Sequence, residues 1–255
     1  MGLGLSSAKL AHLTRHLDRC VSEGRFPSVA CLVHRHGQEA YFHASGMADE
    51  SRGREIARDS VYRIYSMTKP ITSVGMMMLY ERGLFQLDDP VSKFLPGWSG
   101  MEVYVAGKGK HMSTRKASEQ PCIKHLLTHT AGLTYGFMDR HPVDAMYRKL
   151  KIATDLRHTL KETTSLLVKV PLLFDPGTRW SYSVATDVCG HLVEVLSGKP
   201  FDEFLNENVL MPLGMRDTGF CVTPRSRERL TACYLKNKKG YELQDDPVGS
   251  EYDET

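Results

Sequence analysis

The segment that most constrains this chain is an apolar run that starts beside a serine and a lysine and holds a proline near its beginning. It reads SMTKPITSVGMMMLYERG, from Ser66 to Gly83. Proline has no amide hydrogen to donate, so Pro70 fits only the first turn of a helix. Gly83 is suited to a left-handed stop. The sequence therefore predicts a buried helix that begins at or beside Ser66 and ends before Gly83.

Three Ser-x-x-Lys pairs occur in the chain, namely Ser6–Lys9, Ser66–Lys69 and Ser113–Lys116. With 19 serines and 15 lysines, chance alone supplies about one such pair, so the spacing by itself proves little. Only Ser66–Lys69 opens a predicted buried helix, where residues three apart share a face. The apolar run behind this pair predicts a neutral lysine, because burial disfavours the charged form, and a neutral amine could accept the serine proton. Alternatively, the serine caps the helix and the lysine is a solvated charge.

A second stretch of interest is DPGTRWSYSVATDVCG, residues 175–190. It leads from a Pro/Gly loop into a helical pattern that starts near Ala185. Tyr182 in this stretch is either a packing residue or a second proton-transfer group whose pKa a nearby cation lowers.

Hydrophobic periodicity organises the rest of the chain. Residues 8–23 predict an amphipathic helix, and residues 28–46 predict a β-hairpin that turns near His36 and Gly37. Loops with short helical turns are expected over 85–120. Helical patterns return at 122–129, 143–150, 159–170, 184–197 and 201–209. We divide the chain into the N-terminal part of an α/β domain (1–84), a mostly helical domain (85–210) and a return to the α/β domain (211–255).

Composition excludes several classes of protein. A chain of 255 residues that is 41% hydrophobic can bury a substantial core. Its net charge of +3 is not gathered into a stripe, which argues against nucleic acid as a partner. No segment approaches the roughly 18 apolar residues of a membrane span. The six cysteines form no CxxC pair, as is typical of a reducing compartment, so we expect a cytoplasmic protein without a membrane partner.

The sequence lacks the motifs of metal sites, phosphate-binding loops and α/β-hydrolases. His125 and His129 are four residues apart, but no glutamate lies between them and no third metal ligand is suggested, so we interpret both as structural. No phosphate-binding glycine motif follows a predicted strand, and GxSxG, the nucleophile motif of α/β-hydrolases, is absent. We therefore expect neither a metal nor a cofactor.

Four stretches together carry a family resemblance: Ser66-Met-Thr-Lys69, LLTHTAGL, PGTRWSYS with Tyr182, and PLGMRDTGF. From about residue 8 to about residue 235 the chain resembles the class C β-lactamase and penicillin-binding superfamily, in its family VIII carboxylesterase and lovastatin-acyltransferase branch. The resemblance implies a β-lactamase/transpeptidase-like fold of the α/β (α+β) type. In that fold an antiparallel sheet flanked by helices accompanies a mostly helical domain.

The resemblance also implies roles for particular residues. Ser66 would be the acylated nucleophile, with its backbone amide as one oxyanion donor, Lys69 its proton partner, and Tyr182 the proton relay. Tyr65, Trp180 and Val184 are expected to contact substrate.

The tyrosine motif departs from the pattern of the lactamases. Lactamases usually carry Tyr-x-Asn, whereas this chain has Tyr182-Ser183-Val184, and valine offers no hydrogen bond to a lactam side chain. We therefore expect a serine carboxylesterase, or an acyltransferase, acting on small-molecule esters with short acyl chains. The alternatives are a hydrolase of lactams and a non-catalytic assembly homologue of the fold.

A third family motif has no match in this sequence. Members of the superfamily carry a His-x-Gly, Trp-x-Gly or Lys-Thr-Gly strand, which supplies a second oxyanion donor, and nothing after PLGMRDTGF resembles it. A sheet without such strands would expose an edge. We therefore expect a further segment or a second chain to cover the hairpin at 28–46 and to supply the missing donor.

Overall fold

The computed structural model describes residues 3–253. Over that range the helices are α1 (Ser7–Ser22), α2 (Thr68–Glu81), α3 (Ile123–Leu127), α4 (Pro142–Lys149), α5 (Leu160–Leu167), α6 (Ala185–Ser197), α7 (Phe201–Leu205) and α8 (Pro224–Arg227). The strands are β1 (Ser28–Arg35), β2 (Gln38–Asp49), β3 (Arg54–Glu55), β4 (Glu102–Ala106), β5 (Ser113–Lys116), β6 (Cys233–Asn237) and β7 (Gly240–Asp245). All of these strands pair antiparallel. The predicted class of helices combined with antiparallel sheet is confirmed.

The described chain divides into two compact units. One combines the residues up to Tyr65 with those from Asp217 onward, and the other runs from Ser66 to Arg216. The boundaries drawn from the sequence lie after residues 84 and 210, so they differ from this division chiefly in the placement of α2.

The first unit contains a three-stranded sheet in the order β1-β2-β3. Helix α1 packs against β1 and β2. The β1–β2 register starts with Ser28 opposite Gly46 and closes at the turn of His36 and Gly37, which confirms the predicted hairpin.

A buried ion pair secures the β6–β7 hairpin within the same unit. The Arg63 guanidinium contacts the Asp245 carboxylate, and both side chains are less than one-tenth exposed. The Ser250 hydroxyl donates to the same carboxylate at 2.8 Å, and Arg63 also donates to the Thr231 carbonyl oxygen. Because a buried charge is tolerated only when it is paired and hydrogen-bonded, these contacts fix the end of β7.

The second unit is built around α6. This helix packs against α2, α3, α5 and α7. Its residues Val188 and Leu192 are fully buried in one apolar cluster with Met76 and Leu79 of α2. Each fully buried side chain of this size contributes about 1.5–3 kcal/mol, so the packing of α2 on α6 is a major source of stability in the unit.

Helix α2 begins and ends close to its predicted limits. A short 3₁₀ turn, Tyr65–Met67, leads into it, and Pro70 lies in its first turn. It ends at Glu81, and Gly83 follows in the left-handed region, as predicted.

Two β-hairpins were missed by the sequence analysis. β4 and β5 form within residues 85–120, where only loops with short helical turns were expected, and β6 and β7 were not predicted. Most residues of these strands are exposed or half-buried, so they lack the strict alternation of apolar and polar residues that indicates a strand. Short turns are nevertheless present in the first stretch, at Val91–Lys93, Pro96–Trp98 and Gly109–His111.

No helix among residues 3–253 has the length and apolar character needed to cross a bilayer. Within the same residues, β2 is the only sheet neighbour of β1. That a further segment covers this hairpin stays a prediction.

Alanine at Gly132 should destabilise the protein more than alanine at Gly83. The φ angles are +82° and +73°, and an alanine adopts either at a cost of about 1–2 kcal/mol. At Gly132 the added Cβ would also lie 2.5 Å from the carbonyl oxygen of Phe174, whereas nothing lies within 4 Å at Gly83. In urea titrations we expect the free energy of unfolding to fall by about 1–2 kcal/mol for Gly83→Ala and by more than about 3 kcal/mol for Gly132→Ala. Equal losses would contradict a close approach at Gly132.

Candidate active site around Ser66

Ser66 lies in the turn that leads into α2, directly after a residue with an uncommon backbone conformation. The φ of Tyr65 is +41°, which few residues other than glycine adopt. Strained backbone of this kind is found preferentially at functional sites. The Ser66 side chain is exposed, and it stands at the helix end where the first amide groups lack partners within the helix.

The Ser66 hydroxyl oxygen accepts two hydrogen bonds. The Lys69 Nζ, three residues further along the chain, donates to it at 3.1 Å. The Tyr182 hydroxyl donates to it at 2.6 Å, although Tyr182 lies 116 residues further along the chain. The fold therefore brings together the three residues that the sequence analysis selected as catalytic candidates.

Lys69 is half-buried and faces two phenols. Burial by itself would lower its pKa, but hydrogen bonds with the hydroxyls of Tyr182 and Tyr135 outweigh that effect and hold the pKa above its usual value. The lysine is therefore charged, and the expected neutral lysine was wrong. The apolar residues invoked for it, Met76 among them, lie further along α2, away from the polar groups at its start.

The pKa of Tyr182 shifts in the opposite direction. Burial by itself would raise the pKa of the phenol, but hydrogen bonds with Lys69 and Ser66 bring the pKa below its ordinary value. The Lys69 Nζ also lies 4.7 Å from the centre of the Tyr182 ring. The ammonium group beside the phenol thus eases loss of the phenolic proton, which makes Tyr182 the stronger candidate for the base.

Two ring-bearing residues of the site were not selected from the sequence. The Tyr135 ring lies 5.5 Å from the Tyr182 ring, and burial raises the pKa of its phenol to about 12. The His129 ring lies 5.0 Å from the Tyr182 ring, and burial together with the nearby Lys69 charge lowers its pKa. His129 belongs to LLTHTAGL and Tyr135 is the second residue after it, so the motif itself was the signal that could have indicated them.

An acidic residue also lies near the lysine. Asp187 is in the first turn of α6, where burial raises the pKa of its carboxyl and the charge of Lys69 lowers it in part. Its position five residues after Tyr182 gave no signal in the sequence, because an acid in the first turn of a helix is common.

The three expected substrate contacts have different surroundings. Trp180 is 66% exposed, and its ring lies 6.4 Å from the Tyr182 ring. Tyr65 is 54% exposed but belongs to the other compact unit, where its hydroxyl lies 3.5 Å from the Cys233 Sγ. Val184 is 0% exposed and lies in the apolar core, so in this structure it has no surface for a substrate.

His125 and His129, the pair considered for a metal, have other partners. The His125 Nδ1 lies 3.2 Å from the Cys122 Sγ, and the His129 Nδ1 lies 3.2 Å from the Ser183 Oγ.

Comparison with known proteins places this chain in a family. The family model described as Beta-lactamase matches residues 13–253. Esterase EstB from Burkholderia gladioli is 37% identical over 220 residues, which cover 85% of this chain and 53% of EstB. The chain therefore belongs to the β-lactamase family, as its four motifs indicated.

Solved structures agree with this assignment. EstCE1, a hydrolase with promiscuous acyltransferase activity, matches with a TM-score of 0.80 at 30% identity, over 94% of this chain and 60% of EstCE1. The simvastatin synthase LovD from Aspergillus terreus matches with a TM-score of 0.75 at 26% identity, over 95% of this chain and 61% of LovD. These matches confirm the β-lactamase/transpeptidase-like fold, and together with EstB they support a serine hydrolase or acyltransferase. The chain spans about half the length of the curated relatives it matches.

Replacing Lys69 with alanine should raise the pKa of Tyr182, because the hydrogen bond and the positive charge that lower it are removed while burial remains. The pKa would be measured by NMR titration of protein carrying ¹³Cζ-labelled tyrosine, with the Tyr182 signal assigned through Tyr182→Phe. Lys116→Ala, from the exposed Ser113–Lys116 pair, is the matched control and should leave the titration unchanged. An unaltered Tyr182 pKa in Lys69→Ala would show that the two groups are not coupled.

Proposed function

We propose that this chain carries the nucleophile of a serine carboxylesterase that acts on short-chain acyl esters through an acyl-enzyme on Ser66. One observation carries the proposal: the Ser66 hydroxyl contacts Lys69 and Tyr182, whose pKa values are shifted in opposite directions. The similarity to EstB, an esterase, and to EstCE1, a hydrolase with promiscuous acyltransferase activity, supports the same chemistry.

In the acylation step, Ser66 attacks the ester carbonyl carbon while its proton moves to the phenolate oxygen of Tyr182. The 2.6 Å separation of the two oxygens suits such a transfer. Lys69 remains protonated and stabilises the phenolate. The negative charge that develops on the carbonyl oxygen is stabilised by amides at the start of α2, including that of Ser66. The tetrahedral intermediate then collapses, and Tyr182 returns the proton to the departing alcohol.

In the second step, the acyl group leaves Ser66. Tyr182, again a phenolate, takes a proton from water or from a second alcohol, whose oxygen attacks the acyl carbon. Water gives hydrolysis and an alcohol gives acyl transfer. The proton passes back to the Ser66 oxygen, which restores the enzyme.

Aromatic side chains beside Tyr182 favour a substrate with an apolar group. Trp180 and Phe137 are each 66% exposed. The Phe137 ring stacks on the Tyr135 ring at 4.8 Å, and Tyr135 in turn neighbours Tyr182. Exposed aromatic rings next to polar reacting groups are typical of a small-molecule site, because the rings bind the apolar portion and the polar groups orient the ester.

The alternative of lactam hydrolysis has less support. Residue 184 is a fully buried valine, so the chain has no amide there to bind a lactam side chain. The second alternative, a non-catalytic homologue, does not explain why two polar groups, from Lys69 and Tyr182, converge on one exposed hydroxyl at the start of a helix.

Ser66→Ala should abolish ester hydrolysis without unfolding the protein, because the exposed hydroxyl contributes covalent chemistry and little packing. We expect the rate with p-nitrophenyl butyrate to fall by at least about 10³-fold and the mass gain from a fluorophosphonate probe to disappear. Ser113→Ala is the matched control, since it removes the serine of another Ser-x-x-Lys pair, and it should be nearly silent. Activity retained in Ser66→Ala would remove Ser66 as the nucleophile.

Short-chain esters should be preferred over lactams, because the exposed rings bind an apolar acyl group and position 184 offers no amide. We expect kcat/KM for p-nitrophenyl butyrate to exceed that for a penicillin by at least about 10²-fold. Trp180→Ala should raise KM for the ester, and Ser66→Ala should remove both activities. A wild-type preference for the penicillin would reverse this ranking.

A further inference from the structure

The two residues on either side of Tyr182 both contact a single residue, His129. The Ser181 amide donates to the His129 carbonyl oxygen at 2.9 Å. The Ser183 side chain, which is 1% exposed, lies with its Oγ 3.2 Å from the His129 Nδ1. The residues before and after the tyrosine are thus both held by His129.

The His129 side chain also contacts the tyrosine itself. The two rings lie 5.0 Å apart at an interplanar angle of 45°, and the Trp180 ring meets the His129 ring edge-on at 6.2 Å. A half-buried imidazole therefore packs against the ring of Tyr182.

His129 occupies a backbone position where histidine is not expected. It follows the last turn of α3 with φ at +55°. The His129 amide donates to the Leu126 carbonyl oxygen, and the Thr130 amide donates to the His125 carbonyl oxygen. These two hydrogen bonds are the pattern of a Schellman motif. Glycine is the usual residue at that position because a side chain strains the left-handed conformation. His129 is an unfavourable residue for this position, yet its side chain packs on the candidate base. This combination indicates a role beyond ending the helix.

The same motif ends α4 and provides a comparison. Lys151 follows α4 with φ at +54°. Its amide donates to the Arg148 carbonyl oxygen, and the Ile152 amide donates to the Tyr147 carbonyl oxygen. The Lys151 side chain is exposed, and its ion pair with Asp155 is long, at 4.0 Å. A left-handed residue other than glycine is therefore not in itself a sign of function, and the contacts of the His129 side chain make the difference.

We propose that His129 is a positioning residue for Tyr182: its carbonyl and imidazole hold the two neighbours of the tyrosine, and its ring packs on the phenol to keep the hydroxyl directed at Ser66. The proposal rests on the function proposed above. Because a displacement of about 1 Å in a reacting group can cost on the order of 10²-fold in rate, loss of this support should reduce turnover.

The decisive variant is His129→Gly. If His129 only ends α3, glycine should serve at least as well, since it is the preferred residue there. If His129 positions Tyr182, we expect the glycine variant to remain folded, with an unfolding midpoint close to that of the wild type, while kcat for p-nitrophenyl butyrate falls by about 10- to 100-fold and KM changes little. His129→Asn, which tolerates the left-handed conformation and keeps an amide near Ser183, should lose less. Lys151→Gly is the matched control and should keep wild-type kcat.

A double-mutant test distinguishes positioning from an independent effect. In the Tyr182→Phe background, His129→Gly should cause no further loss of kcat, because the group it positions is already absent. A kcat within twofold of wild type in His129→Gly, or an equal loss in both backgrounds, would overturn the proposal.

A readout that does not depend on activity completes the test. In the ¹³Cζ-tyrosine titration, His129→Gly should raise the pKa of Tyr182, since a displaced phenol loses its hydrogen bonds with Lys69 and Ser66. An unchanged Tyr182 pKa would refute positioning. If Ser66→Ala kept esterase activity, the proposed function would fail, yet this titration would still decide whether His129 positions Tyr182.

Discussion

The packing of α2 against α6 is the interaction on which the candidate site depends. Each helix carries part of the site at its N-terminal end: Ser66 and Lys69 lie at or beside the start of α2, and Tyr182 precedes α6. The contact is apolar and fully buried, with Met76 and Leu79 in one cluster with residues of α6. Because buried side chains are closely packed, the cluster holds the two helix starts close enough for Tyr182 to hydrogen-bond with Ser66. The polar geometry at the surface is thus a consequence of the apolar core.

That geometry in turn sets the charges. A lysine on an apolar helix would lose its proton more readily than usual, and a buried phenol would hold its proton more tightly. Placed side by side, the two groups reverse both tendencies, because each stabilises the charged form of the other. The pKa of Tyr182, the base proposed here, is therefore lowered through its neighbour. The same reasoning explains why support for the position of Tyr182, which we assign to His129, would matter for the chemistry as well as for the packing.

The sequence predicted elements whose signals are local. The limits of α2 follow from Pro70 and Gly83, and the β1–β2 hairpin follows from alternation and a turn at His36 and Gly37. The strands of the β4–β5 and β6–β7 hairpins were not predicted. Because they are largely exposed, burial does not require apolar and polar residues to alternate along them. Val184 shows the opposite difficulty: its place beside Tyr182 suggested a substrate contact, but the start of α6 turns its side chain into the core.

By itself, the sequence determined that Ser66 and Lys69 share one helical turn, because residues three apart on a helix are neighbours whatever the rest of the chain does. Its four motifs together also indicated the β-lactamase family. Only the tertiary structure decided that Tyr182 reaches the same hydroxyl from 116 residues away and that Tyr135 and His129 line its ring. It also decided that Lys69 is charged, since a pKa depends on every group around the atom that titrates. Those neighbours come from separate parts of the chain, and no local pattern records which of them will meet.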